Sequence, residues 1–233
     1  MRRPLATVFL ICLGCISAWA GEITGKVGFD SELPARHTRG DRGKSIRQLE
    51  KQDGYNRDFL VKENRIGGGL PEGTEVNELT FVVVHLTEQK DGSRLRATPV
   101  KAQIDQRDRQ FAPHVVPVVL GSEVVFFNND SYFHHIFSPS QFEIRKFLKG
   151  QRYEKPSKLG AYELFCNIHP RMNAYLYVVP NDFYAQADAQ GNYRLKNVPP
   201  GHYRLRAWHP RLQSKELEIT VRGEEAQEAN FRL

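Results

Sequence analysis

The chain has 233 residues and a formal net charge of +6, long enough for one large or two small domains. A positive balance this slight suits steering toward an acidic partner or an anionic surface, and it is too small to argue nucleic-acid binding. The most apolar run, Leu5 to Ile16, is too short to span a bilayer as a helix.

That run follows Arg2 and Arg3 and precedes Ala18-Trp19-Ala20, the small-x-small pattern of a secretory leader. A signal peptide is expected over residues 1–20, with cleavage after Ala20 and a periplasmic mature protein without a membrane span. A lipoprotein reading at Cys15 is weaker, because Cys12 stands where an aliphatic residue is wanted. Cleavage removes Arg2 and Arg3, lowering the formal charge from +6 to +4, and it also removes Cys12 and Cys15. The remaining Cys166 then has no disulfide partner, and a free thiol is a liability in an oxidising compartment. It is either a small buried hydrophobe or a metal thiolate, and its neighbours favour the second.

Nearly all regular structure reads as strand. Glu22–Phe29 alternates Ile23, Val27 and Phe29 with small or polar residues, and Leu79–Leu86 is a β-branched run. Between them, residues 30–78 are charged and Gly-rich, with Gly67-Gly68-Gly69 as a hinge, and are expected to be a polar insertion. Ser45–Gln52 is the one candidate helix, capped by Ser45. Strands are then expected at Ala97–Ile104, His114–Leu120, Glu123–Phe127, His135–Phe137, Gly160–Phe165 and Ala174–Val179. Short strands between turn residues indicate an antiparallel sandwich or barrel. After residue 181 comes a meander, with turns at Asp188–Asn192 and Pro199–Gly201 and strands at Leu217–Val221 and Ala229–Leu233.

Cys166-Asn167-Ile168-His169-Pro170-Arg171-Met172 places a thiol, an imidazole and a thioether on one short loop. Upstream, Val124-Val125-Phe126-Phe127 runs into Asn128-Asn129-Asp130, followed by His134 and His135. Two His, one Cys and a weak axial Met form the donor set of a blue-copper electron-transfer site. Strand alternation puts His134 and Ile136 on one face and His135 on the other, so His134 is the candidate donor and His135 a candidate support. Asn128, Asn129 and Asp130 are expected to shape the turn. Zinc is the competing metal, although Met is a poor fourth ligand for it. A catalytic Cys–His pair is a third reading, unaccompanied by any acyl-transfer signature. His37, His85, His114, His202 and His209 read as surface or core-edge residues, and Trp208 as a loop anchor.

With Phe111-Ala112-Pro113, Gly121-Ser122-Glu123 and the loop Cys166-x2-His169-x2-Met172, the chain resembles the cupredoxins, closer in loop spacing to amicyanin than to plastocyanin. The resemblance implies a Greek-key sandwich over about residues 95–180 with one type 1 copper held by His134, Cys166, His169 and Met172. It departs from the family at His135, where cupredoxins usually carry an Asn that ties the two ligand loops together. The C-terminal pattern, with Gly191-x-Tyr193-x-Leu195 and Val198-Pro199-Pro200-Gly201-x-Tyr203, resembles the carboxypeptidase regulatory-like, transthyretin-type sandwich. Strands from residues 21–94 are expected to complete that sandwich with residues 181–233, the copper unit being inserted between them. The combination resembles exported plastocyanin-like proteins of the methylamine-utilisation type.

The fold expected is therefore all-β, a cupredoxin sandwich plus a small transthyretin-like sandwich. The function implied is single-electron transfer with a redox protein, a cytochrome or a dehydrogenase, and no enzymatic chemistry. His169, Pro170, Arg171 and, more weakly, Tyr132 and Phe133 are expected at the docking patch. Copper trafficking and a structural binding sandwich without a redox role remain as alternatives.

Overall fold

The computed structural model describes residues 20–30, 76–139, 141–169 and 171–233. The expected leader up to Trp19, most of the polar insertion, the helix at Ser45–Gln52, His37 and Pro170 lie outside the described residues.

Two strands come first, β1 (Gly21–Gly28) and β2 (Val83–Gln89). Nine follow: β3 (Lys101–Arg107), β4 (Gln110–Ala112), β5 (Val115–Val119), β6 (Glu123–Asn128), β7 (His134–Ser138), β8 (Phe142–Phe147), β9 (Gly150–Glu154), β10 (Gly160–Cys166) and β11 (Asn173–Val179). The last six are β12 (Tyr184–Gln186), β13 (Asn192–Val198), β14 (Gly201–His209), β15 (Leu212–Val221), β16 (Ala226–Glu228) and β17 (Phe231–Arg232).

The nine middle strands build one sandwich. Sheet β5-β11-β10-β7-β8 packs on sheet β4-β3-β6-β9. Their inner faces share a core of Ile104, Phe111, Val124 and Phe126 on one side and Ile136, Leu164, Ala174 and Leu176 on the other. The other strands build a second sandwich from sheet β12-β2-β14-β15 and sheet β13-β1-β16, with β17 also paired to β1. Here Ile23, Val84, Leu86, Leu195, Tyr203 and Leu205 form the core. Strands from before and after the first sandwich thus complete the second. The two crossings are clipped by Asp182, whose carboxylate accepts from Thr98 N (2.6 Å), Thr98 Oγ1 (2.7 Å) and Arg96 Nε (2.7 Å).

The sandwiches also meet. Every residue of β11 is buried. Its alternate side chains Ala174, Leu176 and Val178 enter the first core, while Tyr175, Tyr177 and Val179 enter a seam with Phe81, Val83, Val115 and Val119. A strand buried on both faces reads as a continuous apolar run, as β11 does. Trp208 of β14 stacks on Tyr177 across this seam, with ring centroids 4.0 Å apart and planes 7° apart.

Several local expectations shift. Glu78–Phe81 is a 3-10 turn rather than strand, because Asn77 Oδ1 accepts from Leu79 N (3.1 Å) and offers the backbone an alternative to a ladder. Strand β3 begins only at Lys101, the preceding segment being held by Asp182 instead. Strands β8 and β9 were hidden by their sequence. Opposite β7, Phe147 pairs with His134 and Ile144 with Ile136, so a bulge breaks the period-2 pattern of β8. β9 is an edge strand with almost no buried residue.

Candidate metal centre

The site lies at one end of the first sandwich. Cys166 ends β10, Met172 precedes β11, and the loop between them is the hairpin connection of two strands paired from Gly160↔Val178 to Phe165↔Asn173. The β10–β7 ladder sets Cys166 opposite Ile136, and Asn167 N–H extends it by donating to His135 C=O (2.8 Å). That backbone bond ties the two donor-bearing segments together. Met172 N–H donates to His169 C=O (3.0 Å) and tightens the loop.

Three donor atoms converge as a result. Cys166 Sγ lies 3.7 Å from His134 Nδ1 and 3.7 Å from His169 Nδ1, and the two Nδ1 atoms are 3.1 Å apart. These three residues form the one group of metal-ligating side chains among the described residues. His134 and Met172 are fully buried, Cys166 nearly so, while His169 is partly exposed and is the donor that reaches solvent. Met172 belongs to the same buried cluster as Cys166.

His134 is oriented from behind. Its Nε2–H donates to Asp130 Oδ2 (2.8 Å), which leaves Nδ1 as the lone-pair nitrogen facing Cys166. Asp130 in turn accepts from Asp108 N (2.7 Å) and Arg109 N (3.0 Å), the two central residues of the β3–β4 hairpin. Both have positive φ, 54° and 58°, as a two-residue type I′ turn demands. Arg is a poor resident of that region, and the carboxylate holds its amide there. Asn128 secures the same corner, accepting from Asp130 N (3.0 Å) and donating to Tyr132 O (2.9 Å) and Phe147 O (3.0 Å).

Electrostatics keep this cluster nearly uncharged. Burial pushes the Cys166 thiol up, against the opposing pull of nearby backbone amides. Burial also lowers His169 to about 4, helped by His134 and Arg109, and lowers His134 against the opposing carboxylate of Asp130. For Asp130 burial acts upward, and the N–H groups of Arg109, His134 and Asp108 outweigh it, so the carboxyl stays ionised well below neutral pH. Neutral imidazoles and a thiol that releases its proton on binding are what a divalent metal requires.

The donor set fits such an ion. Donors about 2.0 to 2.3 Å from one ion lie roughly 3 to 4 Å from each other, which matches the separations seen. A soft thiolate with two imidazoles and a thioether in reserve suits copper better than zinc.

The structure brings together three of the four residues expected from sequence at bonding separations, and it buries the fourth, Met172, in the adjoining core. His135 points to the opposite face, where Nε2 lies 2.6 Å from Glu143 Oε1. The loop tie that its position would carry in a cupredoxin is made here by backbone atoms. Asp130 does more than shape a turn, since it links the hairpin amides to His134. Its position four residues before His134, in a polar run leaving a buried strand, is the signal that could have pointed to it. Contrary to the surface or core-edge expectation, His85, His114 and His209 are buried, because they line or adjoin a seam between two sandwiches that the sequence of either alone does not announce.

Comparison with known proteins adds three findings. The family model of the carboxypeptidase regulatory-like domain matches residues 172–233, which spans β11 to β17. Similar solved structures include a purple cupredoxin from Nitrosopumilus maritimus, at 20% identity over 33% of this chain and 98% of that one, with a TM-score of 0.32. They also include a mutant of amicyanin with Cu(I), at 18% identity over 34% and 81% of the chains, with a TM-score of 0.32. A copper-containing nitrite reductase from Thermus scotoductus SA-01 is similar at 23% identity over 35% of this chain and 23% of its own, with a TM-score of 0.32. Among curated proteins no sequence match is found. The regular structure of the described residues is strand apart from one 3-10 turn, arranged in two sandwiches. No helix among the described residues is long and apolar enough to cross a membrane.

Proposed function

We propose that this is a type 1 copper protein that passes single electrons between redox partners and carries out no substrate chemistry of its own. The observation that carries this reading is the convergence of Cys166 Sγ, His134 Nδ1 and His169 Nδ1 at mutual separations of 3.1 to 3.7 Å. A copper ion held by these residues would supply a one-electron redox centre that changes oxidation state with little rearrangement of its ligands. Met172, buried beside Cys166, would supply a fourth, weaker thioether donor. Cys166 gives up its proton to become a thiolate, His134 is held in one tautomer by Asp130, and the packed core around both resists rearrangement. His169 is the donor through which electrons reach the surface. The expected leader places the protein in the periplasm, where a cytochrome or a dehydrogenase is the class of partner.

Electron transfer and copper trafficking use the same donors and differ in what happens next. Voltammetry of the copper-loaded protein is expected to give a reversible one-electron wave, with the metal retained against a Cu(I) chelator in both states. An irreversible wave, or prompt loss of Cu(I) to the chelator, would favour trafficking instead.

A further inference from the structure

Many exposed cations of this molecule are paired with carboxylates, and others are not. On the second sandwich and the crossings to it, Lys90, Arg96, Arg194, Arg204, Arg206 and Lys215 each have a carboxylate within 4 Å. Beside the metal centre a group of cations lacks such partners. Arg109, Lys146, Lys149 and Arg152 are exposed, and among the described residues none of them has an ion-pair partner. Over residues 142–158, the hairpin of β8 and β9, six Lys or Arg face only Glu143 and Glu154, and Glu143 is engaged by His135.

Three of these cations, Arg109, Lys146 and Arg152, sit on aromatic rings that adjoin the donors. Arg109 lies 4.4 Å over Tyr132, whose ring meets His169 edge-on with centroids 6.2 Å apart. Lys146 lies 4.8 Å over Phe133, the residue before His134, and Arg152 lies 4.9 Å over Phe147, which pairs with His134. Tyr132 and Phe133 are each 45% exposed. Large rings left half in water, each capped by a cation with no counter-charge, form a surface that is apolar at its centre and positive at its rim. Such a face favours a partner with complementary charge, which raises the rate of encounter more than the affinity.

We propose that this face, centred on Tyr132 and Phe133 and rimmed by Arg109, Lys146, Lys149 and Arg152, docks an acidic redox protein against His169. The inference deepens the electron-transfer reading and rests on it. The occupant is a protein that presents carboxylates around an exposed redox group, and the patch is small, as suits a transient electron-transfer encounter.

The test is stopped-flow electron transfer between the copper-loaded protein and an acidic c-type cytochrome, across a range of ionic strength. In the triple variant Lys146→Glu/Lys149→Glu/Arg152→Glu, the bimolecular rate at low salt is expected to fall at least tenfold. The wild-type rate is expected to fall as salt rises, and the variant's is not. The visible spectrum and urea midpoint of the variant serve as controls for folding and for an intact centre. A second variant, Lys196→Glu/Arg222→Glu on the other sandwich, is expected to leave the rate within about twofold of wild type. An unchanged rate in the triple variant, or an equal fall in the second variant, would overturn the proposal. So would a triple variant that reacts normally with the cytochrome but loses binding to phosphatidylglycerol vesicles, which would assign the face to a lipid surface. Failure of the electron-transfer reading itself would appear separately, as a wild-type protein without a thiolate-to-copper band.

Discussion

Asp130 Oδ2 and His134 Nε2 lie 2.8 Å apart, both side chains buried, and the same carboxylate accepts the two amides of the β3–β4 turn. One residue therefore joins the two sheets of the first sandwich at the point where the metal centre is built. Removing it takes away both the orientation of His134 and the support of a turn held at positive φ.

Asp130→Asn retains an acceptor for the turn but loses the negative charge behind His134. Support of this kind typically changes metal affinity by about 10- to 100-fold. Competitive titration with a copper chelator is expected to show a loss in that range, with the fold intact by circular dichroism. Affinity equal to wild type would mean that the contact does not govern His134.

His85 sits in the seam, with Nε2 3.1 Å from Tyr177 Oη and Nδ1 3.1 Å from Leu86 O. Burial, with a smaller effect from Arg206 and opposed by the Leu86 carbonyl and Glu216, lowers it to about 4. The unfolded chain takes up that proton near pH 6.5, so between the two values it binds more protons than the folded one. Stability should fall as the pH drops from about 6.5 toward 4, by about 3 kcal/mol from this group. Urea midpoints measured across that window should decline in the wild type and decline less in His85→Gln. Parallel curves for the two proteins would contradict the assignment.

The stack of Trp208 on Tyr177 makes the two sandwiches share a surface. Trp208→Ala should destabilise the protein by roughly 3 kcal/mol, the low end for loss of a large aromatic because the ring is only partly buried. Calorimetry is expected to show a lower and broader transition, and an unchanged Tm would mean that the seam contributes little.

Gly25 explains why β1 runs where it does. A Cβ built at this position would lie 1.8 Å from Ala229 O and 2.8 Å from Tyr193 Oη. Tyr193 Oη–H also donates to Ala229 O, so the neighbours are fixed. Gly25→Ala should therefore lower the urea midpoint markedly and leave the spectrum of the copper-loaded protein unchanged, since the metal centre lies in the other sandwich. A wild-type midpoint would mean that β1 is not held against Ala229.

Much of this arrangement was legible in the sequence because its signals are local. The spacing of Cys166, His169 and Met172 places them on one hairpin connection, and alternation along β7 separates His134 from His135. What the sequence concealed depends on contacts between distant segments. Asp130 reads as a turn residue until the amides of Asp108 and Arg109 arrive beside it. The seam histidines read as polar edge residues until a second sandwich covers them. β8 escaped notice because a bulge disturbs its alternation, and β9 because an edge strand buries almost nothing.

The most direct test of the central claim is the visible absorption spectrum of residues 21–233 after addition of Cu(II). An intense blue thiolate-to-copper band, absent in Cys166→Ser and altered in Met172→Leu, is the predicted result. A colourless protein, or a band that persists in Cys166→Ser, would contradict a copper–thiolate centre at this site.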